Sequence, residues 1–563
     1  MAGNGWTGAM GIGREGMTSF ETSHVSKDDR ENAFTQISLN DSTIQSQSLH
    51  TEGIPLNLDD YSIVNAAAGW GHSILHIHST AAGKGTNQET AEHHCLLMAG
   101  RPFDFQTLLR IHRLPPFAAR FVVSNSLHLE TSSSAMAQAT SNPEAKGDEA
   151  TASADVSFFM KVLNAFLRQG DEKDKDGDGA GLYRMGTYPS FTPMNLPNGE
   201  TPAFSSPTSE TTGSNPFTTM AASAGLSAVL STSGKVYTLG LNQKGQCGIQ
   251  NSKATFVWEW TQLVFANHEK MPAEPPLMIA LALGLQHGLA LGENGLVYAW
   301  GKGSRGQLGL DTMDPTSKAA HLDSNVPISH EGPSILNTYA STTTDIGIEY
   351  AATPIGTLSN VTQISAGWNH SVAISDNQVF IWGKNAQLVS KDESNHDKAK
   401  EDGDNINEDY QPRDATHPRC VPGLPPDLNI ERISCGSHHT AVLLQDGSVY
   451  AMGVASDNAT LISHFVKVIP PGHVDASSTL QFKSHFDRTT IIHGEGRQIL
   501  EFQLWSTPKL REEAVFEPAW VQDIFCEDKV ENRKNSEQQE MIGKKSVQMV
   551  HRGWQHTLVI TKD

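Results

Sequence analysis

Charge and cysteine are both scarce in this sequence. Asp, Glu, Lys and Arg make up 18% of its 563 residues, against roughly 25% in an average globular protein. That shortage argues against a coiled coil or a long helical array, whose exposed faces are charged. The five cysteines are Cys95, Cys247, Cys420, Cys435 and Cys526, and none forms a Cys-x-x-Cys pair. A disulfide framework and a zinc ribbon are both disfavoured, so we expect an intracellular location, with cytoplasm, nucleus and mitochondrion not distinguishable.

Basic charge and long apolar runs are scarce as well. The chain has 41 Lys and Arg against 62 Asp and Glu, a formal net charge of −21. This balance counts against direct nucleic-acid binding, because phosphate neutralisation needs clustered Lys and Arg. No apolar run approaches the roughly 20 residues of a membrane span, and the N-terminus does not look like a secretory signal. We expect a soluble protein with no membrane span.

What the sequence has instead is internal repetition. The segment from Ile433 to Gly453 aligns with that from Ala282 to Gly301. In both, a first and a last glycine are 17 residues apart, with a Gly-containing turn between them. Four further copies have Gly69, Ser223, Gly367 or Gly553 at the position of the first glycine. A degenerate copy runs from Ser484 to Ile492. The chain therefore contains seven units, one of them degenerate.

Each unit has the pattern of a small antiparallel sheet. Two short alternating or β-branched segments are followed by a tight turn and by a third segment rich in Val, Tyr and Trp. A second signature comes after the third segment. Gly240 and Gly301 are each followed by two further glycines, five and eight residues later. Four strands per unit predict an all-β fold, a seven-bladed β-propeller that forms a single domain over residues 1–563.

The chain ends predict how the ring closes. Gly3 is followed by Gly8 and Gly11, which repeats the +5 and +8 offsets, so the N-terminus reads as the end of a third strand. We expect Ala2 to Ile12 to pair with the C-terminal strands near 547–550 and 556–560. Since Met1 lies only two residues before Gly3, either the closing blade is frayed or the true start lies upstream.

Four stretches interrupt the repeat pattern. Residues 131–217 are rich in Ser, Thr, Pro, Gly and Ala, and residues 391–418 are acidic and polar. Residues 311–359 and 527–545 are shorter stretches of the same kind, which also interrupt the repeat. All four are predicted to be loops or disordered insertions.

Two segments could suggest metal binding, but neither carries a complete ligand set. Asp174 to Gly179 resembles the start of an EF-hand loop, yet its twelfth position, which needs a Glu, is Met185. His76, His78 and the His93-His94-Cys95 run lie across a predicted hairpin, and nothing fixes a four-ligand geometry there. We predict a solvated acidic linker and a chance histidine cluster, and no metal or other cofactor.

The repeated histidines predict blade packing rather than chemistry. His72, His287, His370, His439 and His556 recur at one structural position, which favours an imidazole bonded to backbone. No nucleophile elbow, phosphate loop or paired-carboxylate motif occurs, so an enzyme is not expected.

The two residues between each glycine and histidine are predicted to lie on one face of the ring. The seven pairs are Trp70-Gly71, Ala224-Gly225, Leu285-Gln286, Trp368-Asn369, Ser437-His438, His485-Phe486 and Trp554-Gln555. Three tryptophans on one face favour a binding surface, because exposed aromatic clusters mark interaction sites. The alternative is that each tryptophan packs under a neighbouring loop.

These motifs resemble a known repeat family. The Gly367-Trp368-Asn369-His370-Ser371 unit and the Trp-Gly-x-x-x-x-Gly-Gln-Leu-Gly unit from Trp300 to Gly309 are similar to the regulator of chromosome condensation repeat, over all seven units. The resemblance implies a seven-bladed propeller. In the founding member, nucleotide exchange on the small GTPase Ran uses acidic and histidine residues in these loops. His438 matches that histidine pattern, but the fourteen predicted loop positions contain no Asp or Glu, and Asp487 lies one step beyond them.

The resemblance leads to two functional hypotheses. The first is a regulatory protein-binding propeller, similar to guanine-nucleotide exchange factors, that acts on a small GTPase through a face of Trp70, Trp368, Trp554 and His438. His438 is the one weak candidate for a role in exchange. The alternative is a non-catalytic adaptor in a ubiquitin-ligase or organelle-assembly complex. Relatives that sense ultraviolet-B light carry Gly-Trp-Arg-His-Thr, and here Gly, Asn and Gln replace the Arg, so photoreception is not expected.

Overall fold

A computed structural model shows how the repeats fold. It describes residues 2–3, 61–80, 92–100, 188–194, 196–203, 219–250, 256–266, 276–310, 347–390, 410–456, 460–507, 509, 515–518, 521, 546–553 and 556–562. Regular structure in these residues is almost entirely β-strand, with a 3₁₀ turn at Pro197–Gly199. Among the described residues, no helix has the length and apolar character needed to span a membrane.

The described residues contain 27 strands. Strands β1 to β9 are Ala2–Gly3, Tyr61–Ala68, His72–Thr80, Glu92–Gly100, Tyr188–Met194, Met220–Ala222, Leu226–Leu230, Val236–Leu241 and Phe256–Gln262. Strands β10 to β18 are Met278–Leu283, His287–Gly292, Val297–Lys302, Ile348–Pro354, Val361–Ala366, His370–Ser375, Gln378–Ser390, Tyr410–Cys420 and Ile430–Cys435. Strands β19 to β27 are His439–Leu444, Val449–Val454, Leu461–Ile469, Gln481–His485, Arg488–His493, Gln498–Gln503, Val515–Phe516, Ser546–Arg552 and His556–Lys562.

The strands form small antiparallel sheets in chain order. Six sheets have four strands each, and we number them first to sixth: β2–β5, β6–β9, β10–β13, β14–β17, β18–β21 and β22–β25. The terminal sheet has three strands in the order β1-β27-β26. This arrangement is a β-propeller, so the predicted all-β propeller class is confirmed.

The sequence pattern explains why each unit folds into a sheet. In the fifth sheet, the alternating residues of β19 are buried on both faces, as is expected of a middle strand between two neighbouring sheets. The turn that follows β19 contains Gly447 at φ +79°, where a Cβ atom would collide with the backbone carbonyl of Val474. A side chain at that position would therefore strain the turn and displace the neighbouring loop.

The hydrophobic core lies between sheets rather than inside them. For example, Ala290, Tyr298 and Trp300 of the third sheet pack against Ala228 and Val236 of the second. Equivalent clusters join each numbered sheet to the next. The terminal sheet packs on both sides, through Val547 and Val550 against the sixth sheet and through Leu558 and Ile560 against the first. A single sheet could not bury both faces, so adjacent sheets stabilise one another.

The N-terminus pairs with the C-terminal strand in the terminal sheet. Ala2 lies opposite Thr557 and Gly3 opposite His556, while β26 pairs with the other edge of β27. The predicted pairing of the chain ends is therefore confirmed for Ala2 and Gly3. The rest of the predicted segment, up to Ile12, lies outside the described residues.

Three of the four predicted insertions contain strand residues at their C-terminal ends. Within 131–217 lies β5, within 311–359 lies β13, and residues 410–418 belong to β17. The loop prediction was wrong for these residues, because apolar side chains such as Phe191 and Ile355 supply the core that a fourth strand needs. The fourth insertion, 527–545, lies outside the described residues, as does the EF-hand-like segment at 174–179.

Candidate partner-binding face

The repeated histidines tie each sheet to its neighbour. Each imidazole Nε2 lies within hydrogen-bond distance of a Ser or Thr hydroxyl on the next sheet of the ring. The five pairs are His72–Ser227 at 2.7 Å, His287–Ser371 at 2.9 Å, His370–Thr440 at 3.2 Å, His439–Thr489 at 3.0 Å and His556–Ser73 at 2.8 Å. The predicted packing role is confirmed, but the partner of Nε2 is a hydroxyl rather than backbone.

Burial keeps these five imidazoles neutral. It lowers the pKa of His72, His287 and His370 to about 3. It lowers the pKa of His439 and His556 to about 4. A group that loses its charge on burial and donates or accepts one fixed hydrogen bond is structural, and it is not a proton carrier near pH 7.

The glycine before each histidine is required by the imidazole itself. At Gly367, an added Cβ would collide with the ring of His370 and with the carbonyl oxygen of Gly436 on the next sheet. The same contacts occur at Gly284, Gly436 and Gly553, each against its own histidine and the next sheet. The Gly-x-x-His spacing therefore specifies a close contact between two sheets, which explains why it repeats.

The second repeated signature is a further contact between sheets. The backbone carbonyl of Gln307, on the third sheet, accepts a hydrogen bond from the Trp382 indole of the fourth at 2.9 Å. The carbonyl of Gln246 accepts one from Trp300 at 2.7 Å in the preceding pair. Gly306 and Gly309 lie on either side of Gln307 at φ +80° and +68°, a backbone conformation that favours glycine.

Two sheets lack the histidine and replace it differently. In the second sheet the position is Leu226, a core residue. In the sixth sheet His485 lies opposite Arg488, so the turn residues are Phe486 and Asp487. The predicted loop pair His485-Phe486 was therefore wrong by one residue, because this unit lacks the glycine and histidine that define the register in the other units. One acidic residue, Asp487, does occupy a loop position.

Arg488 forms an ion-pair group where the histidine is missing. Its guanidinium lies 3.7 Å from the carboxylate of buried Glu501, which also pairs with Arg552 of the terminal sheet. Thr490 donates a hydrogen bond to the same carboxylate at 3.0 Å. The Glu501 carboxylate thus joins the sixth sheet to the terminal sheet, in the role that an imidazole and a hydroxyl fulfil elsewhere.

The loop residues between each glycine and histidine converge over the centre of the ring. Trp70 of the first sheet and Trp368 of the fourth have ring centroids 5.8 Å apart. Two whole sheets lie between them along the chain, so this contact crosses the central axis. Trp368 also meets His438 edge-on at 5.0 Å and Phe486 at 6.2 Å. We call the surface formed by Trp70, Trp368, His438, Phe486 and Asp487 the aromatic face.

The predicted site residues can now be placed. Trp70, Trp368 and His438 lie together on the aromatic face and are half-buried against one another. Burial and the nearby Lys384 charge lower the pKa of His438, so its imidazole is neutral near pH 7. Trp554 lies outside the described residues. Sequence reasoning placed Phe486 in a loop pair without naming it as a site residue, and it left Asp487 just outside the loop; the register of the sixth sheet places both in the turn.

The histidine cluster of the first sheet is a stack of rings on one edge. His76 Nε2 lies 3.0 Å from His94 Nδ1, and the rings of His78 and His94 are 4.8 Å apart. Burial, followed by the charges of His94 and His78, lowers the pKa of His76 to about 3. Within the described ranges, no group of three or more His, Cys, Asp or Glu side chains is arranged to hold a metal ion.

Comparison with known families identifies the repeat. Models of the Regulator of chromosome condensation (RCC1) repeat match residues 278–307, 361–387 and 430–458 in one case and 294–336 in the other. These segments contain the Gly-x-x-His and Gly-Gln-Leu-Gly motifs described above.

Three curated relatives share the repeat at low identity. Human probable E3 ubiquitin-protein ligase HERC6 is 29% identical over 223 residues, which cover 39% of this chain and 16% of that protein. Ultraviolet-B receptor UVR8 of Arabidopsis thaliana is 28% identical over 283 residues, which cover 45% of this chain and 57% of that protein. Guanine nucleotide exchange factor SRM1 of Saccharomyces cerevisiae is 28% identical over 241 residues, which cover 42% of this chain and 39% of that protein. The chain thus spans less than two thirds of each relative's own length.

Two solved structures are similar to this chain at low TM-score and low identity. The crystal structure of human WBSCR16 has a TM-score of 0.45 and 15% identity, covering 90% of this chain and 89% of that chain. The crystal structure of Prp20p from Saccharomyces cerevisiae has a TM-score of 0.37 and 18% identity, and the match covers 60% of this chain and 67% of that chain.

Proposed function

We propose that this chain, which contains regulator of chromosome condensation (RCC1) repeats, is a regulatory propeller that binds a protein partner through its aromatic face. The partner is a small GTPase, and the protein promotes nucleotide exchange on it. The observation that supports this proposal is the contact between Trp70 and Trp368, which gathers half-buried aromatic side chains at the centre of one face. Aromatic residues at the centre of an interface supply most of its binding energy.

The charges around the aromatic face support a GTPase partner. Asp487 is exposed in the turn of the sixth sheet, and neutral His438 lies on the neighbouring fifth sheet. An acid and a histidine in adjacent loops are the residue types that the repeat family uses for exchange. The yeast relative SRM1 is a guanine nucleotide exchange factor, which agrees with this assignment.

We also propose that the terminal sheet is the seventh blade. Its three strands pack between the first and sixth sheets, and β1 comes from the opposite end of the chain from β26 and β27. Pairing the two chain ends in one blade stabilises the whole ring, since unfolding then requires that contact to break.

The test is exchange and binding with the full chain. Small GTPases loaded with a fluorescent GDP are mixed with the protein, and GDP release is followed alongside binding to the nucleotide-free GTPase. We expect accelerated release on one GTPase. Trp368→Ala should weaken binding roughly thirtyfold, or about 2 kcal/mol, and His438→Ala should slow release.

Leu277→Ala is the matched control. Leu277 is an exposed hydrophobic residue, 51% accessible, at the start of β10 and so at the opposite end of the strand from the loops of the aromatic face. It should leave binding and release unchanged. Binding without release would instead indicate a non-catalytic adaptor. If Trp368→Ala and Leu277→Ala behave alike, the aromatic face is not the binding site.

A further inference from the structure

A cavity runs along the centre of the ring beneath the aromatic face. Its volume is about 240 Å³, and it is lined by the first strand of every sheet, with Trp70 and Trp368 at one end. Most of its wall is made of small residues such as Ala67, Ala282 and Ser365. Since a water molecule takes up roughly 30 Å³ in the liquid, the cavity has room for a small polyatomic ion together with several waters.

The cavity wall is basic on one side only. Arg432, Lys483, His485, His551 and Arg552 all line it, on the fifth, sixth and terminal sheets. No Asp or Glu is among the described residues of the wall. This is the opposite of the protein's overall balance, in which the net charge is −21. The positive charge is therefore a local feature and does not follow from composition.

Lys483 is the cation of this group for which the described residues supply no counter-charge. Its Nζ donates a hydrogen bond to His551 Nδ1 at 3.2 Å, and burial lowers its pKa to about 8. An ammonium has three N–H donors, and this is the one hydrogen bond that the described residues give it. Its remaining accessible surface belongs to the cavity.

The two arginines of the wall already have partners in the protein, although Arg552 Nε has none among the described residues. Arg432 donates to the carbonyls of Thr479 and Leu480, at 2.5 and 3.4 Å. Arg552 pairs with Glu501, which also lies near Arg488. These contacts fix the arginines in place, whereas Lys483 remains available to a ligand.

The imidazole of His551 adds an N–H donor beside Lys483. Because His551 Nδ1 accepts from Lys483, its proton lies on Nε2, and neither His551 Nε2 nor His485 Nε2 has a partner among the described residues. Burying a cation without an opposite charge is costly, and so is leaving a buried polar nitrogen without a partner. One small anion beside Lys483 would supply the missing opposite charge and so remove the cost of burying the cation unpaired.

We propose that the central cavity is a binding site for a small oxyanion of the phosphate and sulfate class, held by Lys483 and supported by His551 and Arg552. A tetrahedral oxyanion offers several acceptor oxygens, which matches an ammonium with unused donors beside one imidazole N–H and a fixed guanidinium. This site is separate from the loop residues of the aromatic face and does not depend on the proposed GTPase function.

The test uses sulfate as the probe, because its charge does not change near neutral pH. Binding of sulfate to the full chain is measured by calorimetry and by thermal unfolding, against sodium chloride of equal ionic strength. We expect saturable binding to one site. Inorganic phosphate and glycerol phosphate are titrated in parallel, so that a free ion and a phosphomonoester can be distinguished.

Three variants decide the assignment. Lys483→Met should weaken sulfate binding at least tenfold while leaving stability in chloride equal or higher, since a buried unpaired charge is removed. Lys467→Met, an exposed lysine on the outer strand β21, is the matched control and should bind as the unaltered protein does. Should Lys483→Met fail to fold, Lys483→Arg is expected to retain binding and His551→Gln to weaken it.

The pH profile gives a second readout. Sulfate favours the charged ammonium, so affinity should fall as the pH rises from 7 to 9.5 through the lysine pKa of about 8. The other groups that face Lys483 are of three kinds. Arg432 carries a guanidinium, which is not deprotonated in proteins. Arg552 is paired with Glu501, and buried His485 and His551 are neutral. Absence of saturable binding, or equal binding by Lys483→Met and Lys467→Met, would overturn the proposal.

Discussion

Replacing His370 with alanine removes one of the contacts that hold neighbouring sheets together. The imidazole is 5% exposed, and its Nε2 lies 3.2 Å from the hydroxyl of Thr440 on the fifth sheet. Losing a neutral hydrogen bond costs about 1 kcal/mol, and a buried hydroxyl left without its partner costs about 1 kcal/mol more. The space left by the ring adds about 1–2 kcal/mol at roughly 24 cal/mol per Å³. We therefore expect a loss of about 3 kcal/mol in the free energy of unfolding.

The assay is equilibrium unfolding in urea, followed by far-ultraviolet circular dichroism. Trp368→Ala is the comparison variant, because Trp368 is half-buried in a loop outside the strand pairing, where its ring contacts are worth about 1 kcal/mol each. We expect it to lower stability less than His370→Ala does. Thr440→Val, which keeps the side-chain shape, and the double variant complete a cycle with an expected coupling of about 1 kcal/mol.

Two results would refute this reasoning. A coupling near zero would mean that the imidazole and the hydroxyl do not interact in solution. An equal or larger loss of stability for Trp368→Ala would mean that the tryptophan is a core residue, which would remove the main support for a binding face.

Two further predictions follow from the packing. Acid should weaken the fold below pH 6.5. The five imidazoles that join the sheets have folded pKa values of about 3 or 4, so between these values and pH 6.5 the unfolded chain binds protons that the folded chain does not. Each imidazole therefore lowers the free energy of unfolding by about 1.4 kcal/mol per pH unit, down to its folded pKa. Urea unfolding at stepped pH measures the slope, and His370→Gln should reduce it, whereas a flat profile would contradict the neutral-imidazole assignment. Phe191→Ala should cost about 3–4 kcal/mol, because this β5 side chain is 2% exposed in the core between the first and terminal sheets. If the same urea assay shows a change below about 0.5 kcal/mol, the segment is a loop after all.

The repeat itself made the fold predictable. A glycine followed three residues later by histidine specifies a contact that is local in sequence, because the ring of His370 occupies the space that a side chain on Gly367 would need. The signal therefore appears in any single copy and is strengthened by repetition. The sixth sheet shows where this reasoning ends. With both residues missing there, the sequence left the register open, and strand pairing moved the turn to Phe486 and Asp487.

The fourth strands were not predictable in the same way. β5 contains two prolines and follows a long segment rich in Ser, Thr and Ala, so its local pattern resembles a loop. It becomes a strand because pairing with β4 places Phe191 in the core between the first and terminal sheets. Outer-strand identity thus depends on tertiary contacts that a window of neighbouring residues does not contain.

The sequence by itself determined the propeller, its repeat family and the loop positions that share one face, because each rests on contacts between residues a few positions apart. Only the tertiary structure decided which loops meet. Trp70 and Trp368 are 298 positions apart in the numbering, yet their rings lie 5.8 Å apart across the axis. The same is true of Lys483 and His551, which closure of the ring brings to one cavity. Spacing along the chain sets which residues face the centre, whereas the curvature of the whole ring sets which of them touch.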